Sequence, residues 1–135
     1  MAFIFKSLTS YFDRCNIQYQ IESASDEEGV VSFVYDKVPI FASVGPLPDF
    51  KSSLGLILLD VCEVPSSDES RFLKVINRLN DKFDIAKFVF EEKNNTIRIE
   101  VVAPLDSNPD LDIIVPGLVN LLLNALDDFL NAIGK

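Results

Sequence analysis

The 135-residue chain contains no histidine and no tryptophan, and only two cysteines and five glycines. Without histidine it lacks the commonest general base near neutral pH and the commonest metal ligand, which removes most routes to catalytic triads and zinc sites. Cys15 and Cys62 stand far apart with no Cys-x-x-Cys, so no disulfide framework is indicated. Both read as small buried hydrophobes of a protein in a reducing cytoplasm. The glycines form neither GxGxxG nor GxxxxGK, which leaves nothing to cradle a nucleotide phosphate. Long apolar runs are missing too. The uncharged stretch Ile113 to Leu126 spans 14 residues and is interrupted by Pro116, Gly117, Asn120 and Asn124, whereas a membrane-crossing helix needs about 20. Met1 to Lys6 has no basic residue ahead of its short apolar run, so no secretory signal is expected. Basic residues are in deficit, 12 against 21 acidic, for a net charge of −9. A field of that sign repels phosphate backbones and argues against general nucleic-acid binding.

What is present is a globular composition, 48% hydrophobic and 24% charged, sized for one domain over residues 1–135. Such a chain buries about two-thirds of its unfolded surface and needs no staple. Ile4, Leu8, Tyr11, Phe12 and Cys15 follow the spacing of an amphipathic helix over residues 3–15. From Ile17 the period becomes two, with Ile17, Tyr19 and Ile21 alternating against Gln18, Gln20 and Glu22, as in a strand with one wet face. After an acidic turn at 23–29, Val30 to Tyr35 and Val38 to Val44 read as a hairpin about Asp36-Lys37, with Pro39 at an edge or a strand start. Gly45-Pro46-Leu47-Pro48 reads as a loop. Leu54 to Val61 is a nearly continuous apolar run, as in a strand buried on both faces.

Ser66 and Glu69 have the spacing of a capping box opening a second helix, whose apolar face is Phe72, Val75, Ile76, Leu79 and Phe83. Asn94-Asn95 reads as a two-residue turn between alternating runs, setting Phe90 opposite Ile99, Phe88 opposite Val101 and Glu91 opposite Arg98. Asn108, Pro109, Asp110 and Asp112 open a last helix that reaches about Ile133, with Pro116 expected to kink it or delay its regular part. The predicted order is α-β-β-β(-β)-α-β-β-α, an α+β antiparallel sheet with flanking helices.

The phrase Phe72-Leu73-Lys74-Val75-Ile76-Asn77-Arg78-Leu79-Asn80, the strand Ala86-Lys87-Phe88-Val89-Phe90 before Ile97-Arg98-Ile99-Glu100, and the long final helix resemble the YbjN-like family of small bacterial proteins. That family is labelled a sensory transduction regulator. Its fold is similar to that of the class I type III secretion chaperones, small acidic homodimers that hold secreted effectors. The resemblance implies fold and partner binding, and it carries no reaction.

Among the candidate surfaces, the last helix has polar residues in one arc of about 100° and apolar residues over about 200°, twice an ordinary core stripe. Val119, Leu123 and Leu130 fall on the flank that one domain need not bury. They form a candidate partner or dimer interface, unless the first helix packs there. Arg71, Lys74, Arg78 and Lys82 line one stripe of the second helix, a candidate dock for an anionic partner or else a solvated face. Asp26-Glu27-Glu28 cannot converge on a cation in the manner of an EF-hand loop. Asp60, Cys62 and Glu63 alone resemble catalytic side chains near a strand end, and Cys62 has no predictable base. The expectation is therefore a cytoplasmic, non-enzymatic, chaperone-like binding module without cofactor or metal. It is expected to be homodimeric, taking a protein or peptide partner but neither nucleic acid nor membrane. The alternative is a regulator sensing a small apolar molecule between sheet and helices.

Overall fold

A computed structural model describes residues 3–25, 28–47, 50–106 and 108–134. The elements are α1 (Phe3–Arg14), β1 (Tyr19–Ala24), β2 (Gly29–Tyr35), β3 (Val38–Leu47), β4 (Phe50–Leu58), a 3-10 turn (Ser66–Asp68), α2 (Glu69–Lys82), β5 (Ala86–Glu91), β6 (Thr96–Leu105) and α3 (Leu111–Ala132). The six strands form one antiparallel sheet in the order β1-β2-β3-β4-β6-β5. This is the expected α+β class, with four strands before α2.

All three helices pack on one face of the sheet. On that face Val31, Ile40, Ala42, Leu54, Leu56, Ile97, Ile99 and Val101 are completely buried. Phe12 of α1 packs at a tilt on Phe33, ring centroids 4.9 Å apart, and Phe129 of α3 lies 6.3 Å from Phe88 of β5 and 6.3 Å from Phe72 of α2. At Gly29 α1 approaches so closely that a Cβ would overlap the Phe5 ring. α3 lies between α1 and α2, touching both. Its wide apolar arc is thus covered on three sides, by sheet and by two helices.

Several local expectations change. The β2–β3 turn has Asp36 and Lys37 at φ of 49° and 68°, the primed-turn geometry that suits the twist of a hairpin. By contrast, residues 92–95 form a four-residue loop between β5 and β6, not a two-residue turn. Asn94 N–H donates to the Glu91 carbonyl, Asn95 takes φ of 55°, and its carbonyl accepts from Val64 N–H. Phe88 therefore pairs with Ile99 and Phe90 with Ile97, two residues from the predicted register. A shift of two keeps every side chain on its face, and Glu91 still reaches Arg98 diagonally.

No capping box forms. Pro65 to Asp68 winds a 3-10 turn closed by Asp68 N–H on the Pro65 carbonyl, and α2 starts at Glu69 with no side-chain cap. Asp110, not Asn108, precedes α3, its carbonyl accepting from both Ile113 and Ile114. Pro116 sits in the second turn of an uninterrupted helix, where only the Asp112 carbonyl loses its helical donor. Gly45-Pro46-Leu47 extends β3 through an irregularity, and Phe50 already pairs with Leu47; Pro48 lies outside the described residues. β4 ends at Leu58 because Asp60 turns to φ of 51°, after which Val61 and Cys62 pair with Ile97. Ile21 is 48% exposed, since β1 is an edge strand with a bulge between Ile21 and Ser23. Neither cysteine is fully buried: Cys15 is exposed at the end of α1 and Cys62 is half-buried.

Candidate protein-docking face

The strands place a second set of side chains on the sheet face away from the helices. Alternation along β2, β3, β4 and β6 sets Val30, Ser32 and Val34, then Pro39, Phe41 and Ser43, then Ser53, Gly55 and Ile57, then Arg98, Glu100 and Val102 on this side. Val34 is 64% and Val102 38% exposed, while Phe41 and Ile57 are half-buried only by their neighbours. Along the middle of the face, Ser43, Gly45, Ser53 and Gly55 keep the surface low, with Ser53 Oγ donating to the Gly45 carbonyl at 3.0 Å.

Polar groups rim this apolar centre. Ser32 Oγ donates to Glu22 at 2.7 Å. Arg98 is held between Glu91, through a short Nη1 contact, and Glu100, whose Oε2 is 3.4 Å from Nε. That Nε is buried and donates no aligned hydrogen bond. Beside β1 a shallow cleft of about 660 Å³ is lined by Ile17, Gln20, Ser32, Val34, Pro39 and Phe41, among others.

The two sheet edges differ. On β5 the Asn80 side chain occupies both outward groups of Phe88: Nδ2 donates to its carbonyl at 2.9 Å and Oδ1 accepts its N–H at 2.7 Å. An added strand would have to displace α2. β1 is solvated and interrupted by its bulge, a feature that discourages strand addition.

The predicted sites are dispersed. Val119 is 4% exposed, a core residue that offers no free surface. Leu123 and Leu130 are half-buried against the core on the flank that carries Asp112, whose carboxylate meets Arg14 of α1 at 3.1 Å. Of the basic stripe, two members turn sideways to tie α2 to α3. Lys82 meets Asp128 at 2.7 Å, and Arg71 reaches the Ile133 carbonyl at 3.5 Å besides Asp68 at 3.4 Å. Lys74 and Arg78 stay exposed without ion pairs among the described residues. Asp26 and Glu27 lie outside the described residues. Asp60 accepts from the buried Thr96 hydroxyl at 3.1 Å, which fastens the strand end. The space between sheet and helices is filled by Leu8, Phe12, Leu56, Ile99, Leu122 and Phe129, all fully buried, and the cleft lies instead at the β1 edge, reaching from Tyr19 and Phe33 round to Val34 and Phe41. α3 is long and apolar enough to cross a membrane by length and composition. Here Leu118, Leu122, Ala125 and Phe129 bury it against the sheet and its neighbouring helices.

Burial, followed by a hydrogen bond with Cys15, pushes the Tyr11 phenol up to about 12. Burial and nearby Asp13 also raise that of Tyr19, whose ring packs 5.5 Å from Phe12.

The open face was readable only in part. The alternation of serine and glycine with valine, phenylalanine and isoleucine over residues 30–57 marks two unlike faces without marking either as a binding surface.

No family model matches this chain, and no curated protein does. Among solved structures it is similar to the crystal structure of YbjN from E. coli, a proposed transcription regulator, with a TM-score of 0.62, 10% identity, and coverage of 95% of this chain and 90% of that one. The likeness establishes the architecture: the chain has a YbjN-like fold.

Proposed function

We propose that this YbjN-like domain is a cytoplasmic, non-enzymatic, chaperone-like regulatory module that works as a homodimer and binds a polypeptide through the open face of its sheet. One observation carries the reading. An apolar centre of Val30, Val34, Phe41, Ile57 and Val102 stands uncovered within a polar rim, on a sheet whose other face supplies the core. The net charge of −9 favours a polypeptide over nucleic acid as the occupant.

Affinity capture from the source cell tests it with three baits: the native chain, Phe41→Asp on the face, and Lys74→Glu on the far side of the molecule. The expected result is a polypeptide, a second copy of the chain included, kept by the native and Lys74→Glu baits and lost by Phe41→Asp. Equal retention by all three would overturn the reading. The alternative of a ligand-sensing regulator is favoured by the cleft near Phe41 alone. It requires a small apolar molecule that raises the melting temperature of the native chain but not of Phe41→Asp.

A further inference from the structure

We propose that the occupant of the open face is a second copy of this chain, packed sheet to sheet about a two-fold axis that runs along the strands between β3 and β4. The inference rests on the binding role given to this face. Both edges resist pairing, β5 through the Asn80 amide on Phe88 and β1 through its bulge, so of the surfaces of the sheet the open face remains the one by which two copies can meet.

Charge favours self-association at this place more than elsewhere. Of the strand residues on the face whose side chains are described, Glu22, Glu91 and Glu100 are acidic and Lys87 and Arg98 basic, a net −1 where the whole chain carries −9. Two copies meeting here avoid most of their mutual repulsion. Size is adequate as well. Six strands about 4.8 Å apart and about seven residues long make a face of roughly 24 by 23 Å, and a corrugated surface of that plan approaches the ~800 Å² per partner of a stable interface.

The pairing register makes the face self-complementary. Ser32, Phe41, Ile57, Glu100 and Lys87 lie in one row across the sheet, and Val30, Ser43, Gly55 and Val102 in the next. Rotation about the stated axis sets β3 over the second copy's β4, β2 over its β6 and β1 over its β5. Phe41 then meets Ile57, Val30 meets Val102, Ser43 meets the bare Gly55, the Ser32 hydroxyl meets the Glu100 carboxylate, and Gln20 meets Lys87, with Glu22 two residues further along β1 and diagonal to that lysine.

Sedimentation equilibrium of the full chain, from about 1 to 100 μM, reads the outcome. The native chain should be a dimer, and Phe41→Asp should raise its Kd at least tenfold with an unchanged circular dichroism spectrum. Lys87→Glu should weaken the dimer several-fold, and adding Glu22→Lys should restore it. Both side chains are exposed, so this exchange carries the test even if Phe41→Asp fails to fold. A native monomer over the whole range would overturn the inference, as would a dimer indifferent to Phe41→Asp and to the exchange but lost with Leu123→Asp. If the chain is monomeric yet Phe41→Asp still abolishes capture of another polypeptide, the second copy is excluded and the binding reading stands.

Discussion

The two faces of the one sheet are written by alternate residues of the same strands, yet they do different things. Along β2, Val31 and Phe33 are buried under α1 while Val30, Ser32 and Val34 look away from it; along β4, Leu54 and Leu56 meet the helices while Ser53, Gly55 and Ile57 do not. The covered face is rich in large apolar side chains that interlock with three helices. The open face mixes fewer apolar residues with serine, glycine and ion pairs. The covered face is expected to hold most of the folding free energy, and the open face to be free for association. That division can be broken by measurement.

The largest expected effect is on the covered face. Phe12 is fully buried and touches Tyr11, Tyr19 and Phe33, so Phe12→Ala should cost about 3–5 kcal/mol by urea denaturation. Ile57→Ala, half-buried on the other face, should cost under about 1.5 kcal/mol in dilute solution. Equal losses would mean that the open face is part of the core.

Next comes the layer beneath α1. The folded chain holds the Tyr11 proton more tightly than the unfolded chain, whose phenol has its ordinary value of 10.0. The contribution is therefore complete below pH 10 and is lost as pH rises towards 12, on the order of 2 kcal/mol. Urea midpoints of the native chain should fall over that window more than those of Tyr11→Phe. Parallel curves would mean that this phenol is not held by the core.

Asn80 tests the boundary between the faces. Asn80→Ala leaves the N–H and carbonyl of Phe88 without their partners, a cost of about 1–2 kcal/mol where the groups are partly buried. It also bares the β5 edge, so the variant should form higher oligomers that survive the addition of Phe41→Asp. If Asn80→Ala shows no new association, the amide is a local fastening and not a guard of the edge.

How far the sequence discloses these features depends on the range of the interaction concerned. α1, the apolar face of α2 and the Asp36-Lys37 hairpin depend on neighbours a few residues away, and periodicity reveals them. The loop at 92–95 is different, because Asn95 is held by Val64, some thirty residues earlier. Ser66 has the composition of a cap but follows Pro65, and the chain winds a 3-10 turn before α2 starts. Amphipathic arithmetic leaves the α3 flank uncovered because it treats a helix as having one neighbour, whereas α3 has two besides the sheet. The spacing of the basic stripe sets it on one side of α2, but that Lys82 meets Asp128 and Arg71 reaches Ile133 depends on how two helices lie together. Alternation likewise shows that two faces differ without saying which one the helices choose.

The smallest effect is expected at Arg98, and it separates stability from association most cleanly. Its side chain is 29% exposed between Glu91 and Glu100, 33% and 27% exposed. Solvent this close screens the pairs, which should contribute no more than about 1 kcal/mol together. Burial of Nε without an aligned partner offsets part of that. Arg98→Met, which retains apolar bulk, should therefore shift the urea midpoint of the dilute chain little, and less still in 1 M salt, where the Debye length falls to about 3 Å. Association obeys a different balance, since removing Arg98 lowers the charge of the face by one and places unpaired carboxylates in the contact. A variant as stable as the native chain but with a weaker dimer would mark Arg98 as a group kept for the partner. A loss above about 2 kcal/mol in the monomer would assign the cluster to folding, and with it the open face.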